Sequence, residues 1–259
     1  MPPFFRLKAP EFIIFMGFTA SPKTESAALL LYQLARNKEL HRTRVTGAEL
    51  PPELRLLRCW QSARLARTYA DLIEEPRYQP ATAFFLNELY GDKDFSQRDH
   101  DIERVYPVMI RTLPASVLYS LAMAMELKAL SYELDARLMR VLVEEFDAIH
   151  HFTEEVYAES YRFCNNYNER KRQIELIGRL GSDLDKIVFK PYVYATLRLV
   201  RTPAQFAGFG EFQLFLERGF SAFRHMRGAD AFLNTIMNRE LMILDRIYTG
   251  HPAPFQLDQ

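Results

Sequence analysis

Residues 113–146 read LPASVLYSLAMAMELKALSYELDARLMRVLVEEF. Leu118, Leu121, Met125, Leu127, Leu130, Leu134, Leu138, Val141 and Leu142 recur at spacings that follow a helical period. That periodicity predicts an amphipathic helix, opened by Leu113-Pro114 and running to about Phe146. It is read as one helix or as two meeting near Ser131. No stretch of the chain alternates convincingly with the period of two that a half-buried strand needs.

Helical readings extend outward from this stretch in both directions. Downstream, Thr153 caps a helix through Val156, Tyr157 and Tyr161. Asn168 caps Glu169–Leu180, with Gly181 as its stop, and short helices follow at Ser182–Phe189 and Pro191–Val200. Phe212, Phe215, Phe220 and Phe223 form an aromatic stripe after Gly208 and Gly210. Asp230 caps a last helix, ended by Gly250. Upstream, Ser21-Pro22 opens a helix to about Leu40. Pro51-Pro52 opens another to Glu75, with Leu56, Cys59, Trp60, Ala63, Ala66, Ala70 and Ile73 as its buried face. Phe84 to Tyr90 lie on a helix stopped by Gly91. Ser96 and Asp99 start the helix that leads to Ile110. The expected fold is all-α: one compact domain of about a dozen helices over residues 21–255, with no significant sheet.

Composition agrees with that class. Only 10 of the 259 residues are Gly, about 4% against a usual ~7%. There are 33 Lys+Arg and 33 Asp+Glu, and the resulting zero net charge argues against a dedicated nucleic-acid binder. Two cysteines, Cys59 and Cys164, exclude a disulfide framework and fit a reducing, cytoplasmic setting. Cys59 is read as an inert core thiol and Cys164 as the more exposed of the two. Residues 1–20 are read as a leader outside the core. Their apolar run, Phe12 to Phe18, is far short of the ~20 residues of a membrane span, so no membrane partner is expected.

Several strings are distinctive together: Phe84-Phe85-Leu86-Asn87-Glu88-Leu89-Tyr90-Gly91, Asp94-Phe95-Ser96-Gln97-Arg98-Asp99, Trp60-Gln61 with Arg64-Leu65, Tyr69-Ala70-Asp71-Leu72, Arg218-Gly219-Phe220 and Arg239-Glu240. With these the chain resembles the bacterial FFLEELY motif proteins from about Leu54 to Phe255. Asn87 stands where that motif has its first Glu. The resemblance implies a bacterial, cytoplasmic, mainly helical protein and no particular activity.

The aromatic half of the motif is read as packing, with Trp60, Phe84, Phe85 and Tyr90 buried and close together. The charged half is the candidate ligand site: Tyr90, Asp94, Arg98, Asp99 and Arg104. Asp94, Ser96 and Asp99 can cap the helix start, and Arg98 or Arg104 can pair with a carboxylate there or hold an anionic ligand. The favoured reading is a structural clasp.

Other chemistry is thin. Asp147, His150, His151 and Glu154 straddle a helix end and are weak candidates for a metal. A di-metal bundle site needs a second Glu-x-x-His pair, and the chain has none. His150, His151 and His225 are the candidate axial ligands for haem. No phosphate loop, dinucleotide fingerprint, nucleophile elbow or Cys-x-x-Cys occurs. The basic residues Arg55, Arg58, Arg64 and Arg67, and Arg170-Lys171-Arg172, are read as solvated helix faces.

The expected function is therefore a non-catalytic helical module without a cofactor. It would bind a partner protein, a second copy of the chain included, or a small apolar or anionic ligand. The alternative is a helical-bundle enzyme, or a haem or metal protein, working through His150 and His151.

Overall fold

Prolines mark where several helices begin: Pro22, Pro52 and Pro191 are first residues of helices, where the missing N–H has no intrahelical partner to lose. The computed structural model describes residues 21–42, 51–89, 96–199 and 201–257. It is 82% helical, with 12 α-helices and no strand among the described residues, which is the single compact all-α domain expected. The helices are α1 (Pro22–Arg42), α2 (Pro52–Thr68), α3 (Ala70–Glu74), α4 (Gln79–Phe84), α5 (Ser96–Thr112), α6 (Ala115–Glu144), α7 (Glu154–Phe163), α8 (Tyr167–Val188), α9 (Pro191–Leu199), α10 (Arg201–Phe206), α11 (Gly210–Met226) and α12 (Asp230–Tyr248). The leader at 1–20, and with it that domain boundary, lies outside the described residues. Among the described residues no helix is long and apolar enough to cross a membrane.

The decisive stretch forms one uninterrupted 30-residue helix, α6. It is apolar on more than one face, the pattern of a helix buried among others. Leu118, Ala122 and Met125 pack with Leu30 and Leu34 of α1. Met123, Leu130 and Leu134 meet Leu176 of α8. Leu138 and Leu142 join Leu54 and Leu57 of α2. Each fully buried leucine contributes roughly 1.5–3 kcal/mol.

Gly181 is not a helix stop. Helix α8 runs through it to Val188 because Gly178 and Gly181 serve the approach of α12. A Cβ on Gly178 would overlap Met237 Sδ, and one on Gly181 would overlap the Leu233 methyls. The conformational cost of glycine inside a helix is offset by this close packing.

The buried face of α2 is also rotated from the one expected. Leu56, Cys59, Ala63 and Ala70 are exposed, while Leu54, Leu57, Gln61, Arg64, Leu65 and Tyr69 are buried. The small alanines imitate an apolar stripe, but the side that faces the core carries two polar residues. The helix also breaks at Tyr69 (φ −115°, ψ 25°) before α3. The two thiols are reversed as well: Cys59 is exposed and Cys164 is buried. Burial pushes the Cys164 thiol above its ordinary pKa.

The FFLNELY segment changes pitch: α4 passes into a π-helical turn at Phe85–Leu89. Phe84 packs on Gly219 and lies 5.3 Å from Phe215, while Phe85 lies 5.8 Å from Phe232 and 6.3 Å from Phe223. Buried Glu88 accepts from Arg218 at 2.7 Å. The motif and the Arg218-Gly219-Phe220 string are thus two sides of one contact. Trp60 is not part of it. It stacks on Tyr157 at 4.2 Å in the cluster with Leu54 and Leu138, because it lies on a different helix face from Leu65 and Tyr69, which do join Phe85. Tyr90 lies outside the described residues.

Candidate functional site

Helices α2, α6, α7, α8 and α12 converge on a cavity of ≈ 50 Å³. One water needs only about 10–15 Å³, so there is room for a few waters or a small ion. Its walls carry Gln61 and Arg64 from α2, Asp135 from α6, Tyr157 and Tyr161 from α7, Arg170 and Gln173 from α8, Glu240 from α12, and Phe255. Arg64 and Arg170 were expected on solvated faces. They are 8% and 3% exposed, because each lies on a mainly apolar buried face, beside buried Gln61 and Gln173 respectively.

Burial of a charge is costly unless it is paired. Arg64 grips Glu240 with two hydrogen bonds, 2.7 and 3.2 Å, and the Tyr69 hydroxyl donates to the same carboxylate at 2.8 Å. Burial works against the Arg64 charge, but the charge and hydrogen bonds of Glu240 outweigh it and hold the pKa above the ordinary arginine value. Asp135 is less well matched. It accepts from Gln61 at 3.2 Å and is shared by two guanidiniums, Arg58 at 3.6 Å and Arg170 at 3.7 Å. Arg170 also donates to Gln173 Oε1 and to the Leu134 carbonyl, and its guanidinium lies 4.4 Å from the centre of the Tyr161 ring. The cavity lining therefore holds two guanidiniums, Arg64 and Arg170, and two carboxylates, while Arg58 reaches Asp135 from outside that lining. In addition, Arg64 Nε and Arg170 Nε are buried with no hydrogen-bond partner.

The phenols add neutral donors. Burial raises the pKa of Tyr157 and of Tyr161, so both keep their protons well past neutrality. Tyr157 Oη accepts from Gln61 Nε2 at 3.3 Å, leaving its own proton to donate.

The residues expected to form a site are placed differently. Tyr90 and Asp94 lie outside the described residues, as do the side chains of Arg98 and Asp99 on α5. Arg104 is exposed. It lies 4.7 Å over the Phe209 ring and donates to the Ala207 carbonyl at 3.3 Å. It thus ties α5 to the turn between α10 and α11. His150 and His151 are exposed, Asp147 takes a left-handed φ of 47°, and Glu154 pairs with Arg67 at 3.0 Å. Among the described residues no group of three or more His, Cys, Asp or Glu is placed to hold a metal ion. His225 is exposed, with Nε2 3.1 Å from the Pro76 carbonyl.

The family model of a domain of unknown function, DUF8198, matches residues 40–254. The chain belongs to the DUF8198 family. The DUF8198 region holds α2 to α12 and every named wall of the cavity except Phe255. No curated protein and no solved structure matches the chain.

Proposed function

We propose that the protein is a non-catalytic helical module that binds a small monoanion, of the size of formate or nitrate, in its central cavity. The observation that carries this reading is that two residues lining the cavity, Arg64 from α2 and Arg170 from α8, each hold a buried Nε–H without a hydrogen-bond partner. A buried donor left unmade costs about 1–3 kcal/mol. A monoanion accepting from both groups and from the Tyr157 hydroxyl would satisfy the donors. Guanidinium suits carboxylate and oxyanion geometry. The FFLEELY resemblance, with the bacterial and cytoplasmic setting that it implies, is compatible with such a module.

Formate titrated into anion-depleted protein tests this. A ligand that binds only the folded state raises the melting temperature in a saturable way. Formate and nitrate should do so, and sulfate at equal ionic strength should not. Arg170→Lys keeps the charge but removes the Nε–H, and should weaken the formate effect about tenfold, or ~1.4 kcal/mol. A response that follows ionic strength alone contradicts the reading.

Binding of another protein molecule, a second copy included, is a separate component. Its support is the exposure of Phe206 (89%) and Leu199 (78%). Sedimentation should show assembly in the wild type that Phe206→Ser abolishes.

A further inference from the structure

On the outer surface, the segment before α4, helix α9 and the last turn of α11 border an open cleft of ≈ 830 Å³. Small-molecule sites run from about 300 to 1,000 Å³. Arg77, Tyr194, Ser221, Arg224, His225 and Arg227 line it, with no carboxylate among its described lining.

The cations are held in two ways. Arg77 comes from a different segment and is fixed, donating from Nε to the Met226 carbonyl at 2.8 Å and from Nη2 to the Gly228 carbonyl at 3.3 Å. Arg224 is steadied by the Tyr194 ring, 4.6 Å from its centre. Among the described residues neither Arg224 nor Arg227 makes a hydrogen bond or ion pair, although both are exposed. Cations at a helix C-terminus complement its dipole. That effect accounts for a basic last turn, and Arg77 satisfies carbonyls at its end, but neither role uses the hydrogen-bonding groups of the Arg224 and Arg227 guanidiniums.

Arg227 carries a second mark. It takes the left-handed conformation that ends α11, φ 55° and ψ 48°, directly before Gly228. Glycine adopts this conformation without strain, whereas arginine does not. An arginine there sets a guanidinium at the cleft at the expense of an easier helix end.

We propose that this cleft binds a diphosphate group. A terminal diphosphate carries about three negative charges near neutrality, against about −1.5 to −2 for a single phosphoryl group, so it matches three guanidiniums, whereas a single phosphate or sulfate leaves a surplus cation. The arginine fork bonds phosphoryl oxygens in pairs, and the Ser221 hydroxyl supplies a further donor. The site is independent of the central cavity and uses none of its residues.

The test is calorimetric titration of the full chain with inorganic pyrophosphate, with sulfate as the divalent comparison. Pyrophosphate should bind saturably at one site, about tenfold or more tighter than sulfate. Arg227→Gly should weaken it about tenfold while the melting temperature holds or rises, since glycine relaxes the helix end. A purely structural arginine would not separate those two readouts. Arg224→Ala should lose affinity equally, and neither change should alter the formate response. The proposal is overturned by absent or unsaturable binding, by sulfate binding as tightly, or by an Arg224→Ala/Arg227→Gly protein that binds like wild type. A single-stranded oligonucleotide that outcompetes pyrophosphate would overturn it too.

Discussion

Arg64 and Glu240 form a two-pronged ion pair across 176 residues of chain, with side chains 10% and 16% exposed. The pair joins α2 to α12. Removing one member leaves the other buried and uncompensated, which typically costs about 3–5 kcal/mol. Arg64→Ala should therefore lower stability by about that much in urea melts. Replacing both members with leucine should cost far less. A double variant as unstable as the single one would mean that the pair is not what joins these helices.

Alkaline pH should reveal the phenols that packing shields from water. Tyr161 has a folded pKa above the ordinary value of about 10, and the first cause is burial. The unfolded chain ionises first. The stabilisation is then fully present below pH ~10 and is lost as pH rises from there toward the folded pKa. Tyr161→Phe should flatten the fall in melting temperature above pH ~10 relative to wild type. Equal slopes would place that phenol in contact with water.

Gly181 should tolerate no side chain. Gly181→Ala sets a methyl against Leu233 and should destabilise by about 1–3 kcal/mol as an overpacked core, despite the better helix propensity of alanine. Leu233→Ala should cost more on its own, and the double variant should be more stable than the sum predicts. Strict additivity would show that α8 and α12 do not touch there.

Phe85 and Trp60 belong to separate apolar clusters. Phe85→Ala should cost about 3–5 kcal/mol. Its effect should add to that of Trp60→Ala within about 0.5 kcal/mol, as for sites without shared partners. Strong coupling in the double-mutant cycle would join the two clusters.

The helices were legible where apolar residues carry the period, as in α6, or where Thr153 caps α7 by accepting from the Val156 N–H. Gly181 misleads because glycine in sequence signals a stop as readily as a close approach. Helix α2 misleads for a different reason. Leu54, Leu57 and Leu65 mark its true face, but Gln61 and Arg64 interrupt that stripe, while exposed alanines offer another. The polar centre is built from α2, α6, α7, α8 and α12, and no local spacing announces that Arg64 meets Glu240 or that Arg170 meets Asp135. The one trace is that Trp60-Gln61, Arg64, Tyr69 and Arg239-Glu240 stand among the strings that carry the family resemblance. The charged segment after the motif is conspicuous in sequence because its charges are close together, whereas the buried charges are dispersed.

The most direct test of the central cavity is anomalous diffraction from crystals of the full chain grown in bromide. Bromide is a monoanion with no internal geometry, so it reports on donors and charge alone. The account predicts an anomalous peak inside the cavity, within hydrogen-bonding reach of both Arg64 Nε and Arg170 Nε, and its loss in Arg170→Lys. Ordered waters on both Nε–H groups, with bromide confined to the protein surface, would contradict it.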